Sequence, residues 1–150
     1  MKRLALLLSC LIILGLSGCD NGLKEHPLPE SLKKELARKA DPTIHNNDVF
    51  GTISIDPGLK VGLNPSAGLF IFARPEGVNA GPPLAVKRHS VFQFPFEFDI
   101  GQLNTMMEGS QFAGAMTLTA RLDQDGNRKS SPGDLEGKIQ ITAGQKGVQL

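Results

Sequence analysis

The stretch VFQFPFEFDI, residues 91–100, decides the fold of this chain. Its phenylalanines recur at every second position, and in an extended strand such residues share one face. The four are Phe92, Phe94, Phe96 and Phe98. Strict alternation of this kind predicts a β-strand with one face in an apolar core. Four aligned aromatic rings would supply a large part of that core.

Pro95 interrupts this strand on its polar face. A proline has no N–H group to donate to a sheet ladder, so the strand is predicted to lie at a sheet edge or to carry a bulge there. An open edge can accept an added strand from another protein. Pro95 is therefore a candidate partner-binding position, and plain core packing beside a strand breaker is the alternative.

The same two-residue period extends outward from this strand over residues 49–150, between clusters of Pro, Gly, Asn and Asp that are typical of turns. About seven short strands in about 100 residues predict an all-β, antiparallel β-sandwich. The predicted strands are Val49–Ile55, Leu59–Leu63, Gly68–Arg74, Leu84–His89, Val91–Ile100, Phe112–Leu122 and Leu135–Ala143.

A different composition precedes the strands. Residues 19–48 are poor in apolar side chains and are punctuated by prolines, which predicts a tether. Within it, PESLKKELARKA, residues 29–40, predicts one short helix in which Glu35 pairs with Lys39. This helix is either a solvated spacer or a docking helix for a partner.

The N-terminus has the pattern of an export signal. The basic start MKR, residues 1–3, leads into the apolar run 4–16, which is shorter than the roughly 20 residues of a membrane-spanning helix. LSGC, residues 16–19, resembles the bacterial lipoprotein lipobox. The resemblance implies a signal peptide over residues 1–18 and acylation of Cys19, palmitate included. An ordinary signal peptide that happens to carry a cysteine is the alternative.

The two residues after the predicted anchor suggest which membrane the protein is sorted to. Asp20 resembles the signal that retains lipoproteins on the bacterial inner membrane, and Asn21 resembles the residue that strengthens it. The periplasmic face of the inner membrane is therefore expected, with the outer membrane as the alternative. The other cysteine, Cys10, falls in the signal peptide, so the mature chain would have no internal disulfide, catalytic thiol or cysteine metal site.

Charge and motifs favour neither nucleic-acid binding nor catalysis. The chain has 16 Lys and Arg against 15 Asp and Glu, so it shows no electrostatic footprint for nucleic acid. The three histidines are isolated, and there is no Gly-x-Ser-x-Gly or phosphate-loop motif. We therefore expect no enzyme activity and no cofactor.

One set of acidic residues has an approximate calcium-loop spacing. Its members are Asp123, Asp125, Asn127 and Asp134. Gly126 stands too early for such a loop and the flanks are predicted strands, so a "DG" hairpin turn without a metal is the prediction.

Six segments in order resemble one known domain. They are GLFIFARPEG (68–77), GPPLAVKRHSV (81–91), FPFEFDI (94–100), MMEG (106–109), LTARLDQDGN (118–127) and PGDLEGK (132–138). The domain is the C-terminal, immunoglobulin-like periplasmic domain of the cytochrome c-type biogenesis family whose members also carry tetratricopeptide repeats. The resemblance implies an immunoglobulin-like sandwich and a non-enzymatic binding or scaffolding role in cytochrome c maturation. It further implies a partner among the maturation components or apocytochrome c.

This chain departs from that family in having a predicted lipid anchor and tether where the family has transmembrane helices and repeats. Fold therefore transfers more safely than role. A structural envelope lipoprotein of unrelated role and a small ligand- or metal-binding domain remain alternatives.

Three basic residues flank the loop PEGVNAGPP, residues 75–83: Arg74, Lys87 and Arg88. They are predicted to form a basic patch that meets acidic groups of a partner. The alternative is internal pairing, for example with Glu76 or Asp134.

Overall fold

A computed structural model describes residues 27–59, 63–126 and 129–150. The predicted signal peptide at 1–18, the anchor Cys19 and the sorting residues Asp20 and Asn21 lie outside the described residues. The chain divides into two units, Met1–Lys33 and Lys34–Leu150. Of the helices in the described ranges, none combines the length and the apolar character needed to cross a bilayer.

The predicted tether helix is confirmed as α1, Glu30–Ala40. None of its residues is buried. The expected Glu35–Lys39 ion pair is present at 2.9 Å, and the bond to that lysine holds the pKa of the Glu35 carboxyl below its ordinary value. Exposed pairs of this kind contribute little to stability, so α1 rests on helix propensity and a few ion pairs.

Seven strands follow in two sheets, which confirms the all-β class and the sandwich. They are β1 (Val49–Ile53), β2 (Gly68–Pro75), β3 (Ala85–His89), β4 (Phe96–Ile100), β5 (Ala115–Asp123), β6 (Leu135–Thr142) and β7 (Val148–Gln149). One sheet has the order β4-β1-β7 and the other β3-β2-β5-β6. Every pairing is antiparallel except that of β1 with β7, which is parallel.

The seventh strand is not the one predicted. Leu59 closes a 3₁₀ turn, Pro57–Leu59, and residues 60–62 lie outside the described residues, so the predicted strand Leu59–Leu63 is not among the seven. The seventh strand is instead β7, which no sequence pattern predicts. The backbone at the C-terminus extends this pairing, because the Leu150 N–H donates to the Thr52 carbonyl at 3.0 Å.

The phenylalanine-rich stretch forms a shorter strand than predicted. β4 begins at Phe96, directly after a cis peptide bond between Phe94 and Pro95. Phe98 is buried, and the other three rings pack half-buried against the core. The prediction of an edge strand is confirmed, since β4 is the outer strand of its sheet.

The core lies between the two sheets. Register places alternate residues of β2 and β5 opposite one another on the inner side, for example Ile71 opposite Ala120 and Ala73 opposite Leu118. The fully buried large apolar side chains of this core are Phe112, Leu69, Ile71, Ile100, Met116, Leu118 and Val49. Burying each large apolar side chain contributes about 1.5–3 kcal/mol relative to exposure, so this layer holds the two sheets together.

Candidate functional site

The outer face of the four-stranded sheet is unusually aromatic and cationic. Because Leu69, Ile71 and Ala73 of β2 point into the core, the residues that alternate with them point outward. They are Phe70, Phe72 and Arg74, all half-buried.

The register of the sheet places an arginine on each side of Phe70. Arg88 of β3 and Arg121 of β5 both lie opposite it. Their guanidinium carbons are 5.5 and 5.4 Å from the ring centroid, within the range of a cation–π contact. Farther along β2, the guanidinium carbon of Arg74 lies 4.8 Å from the ring centroid of Phe72.

We call this set the arginine–phenylalanine face; its members are Phe70, Phe72, Arg74, Arg88 and Arg121. Side chains cover this face closely, since Thr119, which lies opposite Phe72 on β5, is only 2% exposed. Each cation–π contact contributes about 0.5–1 kcal/mol at an exposed site. These contacts favour one position of each guanidinium group over its ring before any partner arrives.

The three arginines differ in their charge partners. Among the described residues, no carboxylate lies within salt-bridge distance of Arg74 or Arg88. Arg121 instead approaches Asp134, with 3.9 Å between Nε and Oδ2 and both side chains nearly buried. The internal pairing considered from the sequence, with Glu76 or Asp134, therefore does not neutralise Arg74 or Arg88.

Arg74 also organises the loop at the end of the face. Its Nη2 donates to the carbonyl of Gly81 at 3.1 Å, so the guanidinium ties the loop 75–83 to the sheet. Its Nε is enclosed and has no hydrogen-bond partner among the described residues. Arg88, by contrast, is exposed, and its N–H groups remain available to a partner.

Lys87 does not belong to this surface, which corrects the predicted three-residue basic patch. Neighbouring residues of a strand point to opposite faces, and Lys87 lies opposite Ile71 on the inner side of the sheet. Its Nζ is 2.6 Å from the Asp99 Oδ2 of β4. Lys87 therefore joins the edges of the two sheets, and only Arg74 and Arg88 share the outer face.

Pro95 lies elsewhere as well. It is exposed and directly precedes β4, at the edge of the three-stranded sheet. It is thus not brought together with the arginine–phenylalanine face, and its partner-binding role stays a prediction.

Phe70, Phe72 and Arg121 were not recognised as candidate residues from the sequence. A signal was present in GLFIFARP, because β2 is apolar on both faces where a half-buried strand would alternate with polar residues. The two arginines beside Phe70, however, come from β3 and β5, and only the register of the sheet brings them to this ring.

The surroundings of two histidines shift their pKa values in opposite directions. The ring of His89 contacts that of Phe96 at 4.7 Å between centroids, and burial, followed by the charge of Lys87, holds the His89 pKa below its ordinary value. His45 Nδ1 lies 2.6 Å from the Asp48 Oδ2, and this hydrogen bond raises the His45 pKa.

We expect His89→Gln and His45→Gln to change the pH dependence of stability in opposite ways. The lowered pKa of His89 gives stability that is complete above about pH 6.5 and lost as the pH falls through the folded pKa. The raised pKa of His45 gives stability that is complete below about pH 6.5 and lost as the pH rises through the folded pKa. Chemical denaturation from about pH 5 to 8 measures both. Equal changes of slope in the two variants would contradict the assignment.

The acidic residues with calcium-loop spacing do converge. Oxygen atoms of Asp123, Asp125 and Asp134 lie within 4.8 Å of one another, whereas Asn127 lies outside the described residues. Asp134 accepts from the N–H groups of Gln124 and Ser131, both at 3.1 Å.

The other two carboxylates of this cluster also accept hydrogen bonds. Asp123 accepts from the Gly126 N–H at 2.9 Å, and Asp125 accepts from the Ser131 hydroxyl at 2.7 Å. Carboxylates that bond nearby N–H and O–H groups are typical of Asx-type turns. β5 and β6 do pair as a hairpin, but the connection between them runs from Gln124 to Asp134 and includes residues 127–128, which lie outside the described residues, so the predicted "DG" turn itself stays a prediction.

Comparisons with known proteins find similar sequences over the whole β-sandwich domain. Residues 49–150 match the family model described as "Cytochrome c-type biogenesis protein H Ig-like domain". A protein of Aquifex aeolicus (strain VF5), described as uncharacterized, is 27% identical over 150 residues, which is 100% of this chain and 93% of that protein. No solved structure matches. The matched range begins with β1 and includes every residue of the arginine–phenylalanine face.

Proposed function

Because residues 49–150 belong to the family of the cytochrome c-type biogenesis protein H Ig-like domain, we propose that this protein is a non-enzymatic binding module of cytochrome c maturation. Family membership supports the link to maturation, and the immunoglobulin-like β-sandwich supplies a rigid frame. A binding surface built on strands holds its side chains more precisely than one built on loops.

The observation that carries the proposal is the pair of arginines without a carboxylate partner, each with its guanidinium carbon over a phenylalanine ring. Arg88 is exposed, so its N–H groups can bind a carboxylate in a bidentate manner, whereas Arg74 uses its Nη2 to hold the Gly81 carbonyl and adds positive charge at the end of the face. Arginine and aromatic residues also dominate the energetics of protein interfaces. We therefore assign the arginine–phenylalanine face to an acidic segment of a maturation component or of apocytochrome c.

The proposed location follows from the sequence before the domain. Acylation of Cys19 would anchor the chain stably, since several acyl chains bind a membrane firmly whereas a single chain binds it only marginally. Asp20 and Asn21 would keep it on the periplasmic face of the inner membrane. Residues 19–48 would then act as a tether of about 30 Å if flexible, which lets the domain work close to the membrane surface.

A deletion strain tests the proposal. We expect haem-stained gels of its membrane and periplasmic fractions to lose c-type cytochrome bands, because a maturation component is missing. Wild-type protein should restore the bands, whereas Cys19→Ala and Arg88→Glu should restore them poorly. The first variant loses the anchor, and the second reverses the exposed charge of the proposed binding face.

Two further variants distinguish a specific role of Arg88 from a general effect of changing a surface charge. Arg88→Lys keeps the charge but loses the guanidinium group that contacts Phe70 and its paired N–H donors, so intermediate recovery is expected. Lys34→Glu reverses an exposed charge in α1 and should restore the bands fully. Immunoblots show that each variant accumulates. Unchanged haem bands in the deletion strain under several growth conditions would refute the proposed function.

A further inference from the structure

The four-stranded sheet ends in two edges that differ in how they are closed. The β3 edge is joined to the other sheet by the Lys87–Asp99 ion pair, and Ala85 on this edge forms an isolated antiparallel bridge with Thr105, in the segment that follows β4. The β6 edge, Leu135–Thr142, pairs along its length with β5 only. Among the described residues of the unit Lys34–Leu150, no other strand pairs with the open side of β6, and the one backbone hydrogen bond there is the turn in which the Gln145 N–H donates to the Thr142 carbonyl.

The ladder geometry identifies the backbone groups that this open edge presents. The Ala143 N–H donates to the Gly114 carbonyl at 3.0 Å. In an antiparallel ladder, hydrogen-bonded and non-hydrogen-bonded pairs alternate, so Gly137, Ile139 and Ile141 bond to β5. The N–H and C=O groups of Glu136, Lys138 and Gln140 therefore point to the open side. Those of Thr142 are already bonded to Gln145.

The side chains on this edge carry opposite charges. Glu136 and Lys138 share the outer face of β6, are exposed, and form an ion pair at 2.7 Å across Gly137. Edge strands commonly carry charges that prevent pairing with another chain. Here, however, the charges are arranged so that an antiparallel copy of the same strand would present the opposite charge at each position.

We propose that two copies of this chain pair their β6 strands antiparallel about Gly137, joining two four-stranded sheets into one continuous sheet. In this register Glu136 of one copy lies opposite Lys138 of the other, twice by symmetry. Both residues have free backbone groups, so each such pair can exchange two hydrogen bonds. At the centre, Gly137 faces its own copy, and the absence of a side chain permits the close approach of a non-hydrogen-bonded pair.

In neighbouring registers, free backbone groups and opposite charges do not face each other at the same positions. Pairing about Glu136 or about Lys138 places like charges directly opposite each other, which is destabilising. Pairing about Ile139 places Glu136 opposite Thr142, whose backbone groups are taken by Gln145. Pairing about Gly137 is thus the register of these four in which free hydrogen-bonding groups and opposite charges coincide. A strand edge buries less surface than a standard interface, so the dimer is expected to be weak.

Charge reversal and charge exchange test this proposal on the full chain. Sedimentation equilibrium in density-matched detergent should show a dimer that forms as the protein concentration rises. Lys138→Glu places two carboxylates opposite each other at both symmetric positions, so the dissociation constant should rise about tenfold or more. The double exchange Glu136→Lys with Lys138→Glu restores opposite charges and should return it to within about threefold of wild type.

Controls keep the result specific to this edge. Glu97→Lys reverses an exposed charge on β4, the edge strand of the other sheet, and should leave the dissociation constant unchanged. Thermal melts check that each variant folds, since Glu136 also lies opposite Arg121 on β5. A wild-type chain that stays monomeric at every concentration would overturn the proposal. The proposal would also be overturned if Lys138→Glu left the dissociation constant of the dimer unchanged, or if the double exchange did not bring it back towards the wild-type value.

Discussion

Gly51→Ala is expected to lower the free energy of unfolding by about 3 kcal/mol or more. Gly51 lies in β1, opposite Phe98 on one side and Val148 on the other. A Cβ atom added there would overlap the Val148 carbonyl oxygen and would lie 2.8 Å from both Phe98 Cε1 and Val148 Cβ. The carbonyl belongs to the backbone, so it can move only if β7 separates from β1.

The expected loss far exceeds any gain from alanine. In a strand, replacing glycine with alanine ordinarily gains roughly 0.5–1 kcal/mol through the lower entropy of the unfolded chain. Far-ultraviolet circular dichroism in urea measures the difference; tryptophan and tyrosine fluorescence cannot, because the chain has neither residue.

Gly68→Ala provides the matched control, since this glycine of β2 has no neighbour closer than 3.4 Å to an added Cβ. A change within about 1 kcal/mol is expected there. Equal destabilisation by the two substitutions would contradict the view that close approach of β7 makes Gly51 necessary.

The strands that could be predicted from the sequence are the long ones. The predicted bounds of β2, β5 and β6 agree with the structure to within a few residues, because their inward-facing positions are mostly apolar over eight or nine residues. β7 could not be predicted in this way. It has two residues, and its ladder partner β1 lies at the other end of the domain sequence.

Residues 91–100 also show what an alternating apolar pattern does not predict. Val91 is 92% exposed, and the chain before Pro95 is not in a strand although its phenylalanines alternate correctly. Phe92 and Phe94 reach the core from irregular backbone, with their rings edge to face at 5.5 Å between centroids. Periodicity therefore identified the residues that contact the core but not the backbone that carries them.

For the candidate site, the sequence predicted Arg74 and Arg88 because both flank one loop. It could not separate Lys87 from them, since its assignment depends on which face of β3 meets the core and on the position of Asp99 in the other sheet. Arg121 joins the face through the pairing of β2 with β5, a long-range contact that no local pattern encodes.

Phe112→Ala is expected to lower the free energy of unfolding by about 3–5 kcal/mol. The side chain is fully buried and is the largest one so enclosed in the described residues. It was predicted to begin a strand, but β5 starts only at Ala115, so Phe112 packs from a loop. Its N–H donates to the Gln102 Oε1 at 2.7 Å, and its carbonyl accepts from the Asn47 Nδ2 at 3.2 Å.

These bonds explain why the loss should approach the full cost of a cavity. Side chains from two distant segments hold the backbone of Phe112, so the loop cannot easily collapse into the space that the ring leaves. Phe50→Ala is the control, because that ring is 40% exposed under Lys146 and should cost about 1 kcal/mol when removed. Urea denaturation of both variants measures the difference. If Phe112→Ala cost no more than Phe50→Ala, the loop would have to refill the cavity, and the two side-chain bonds would not restrain it.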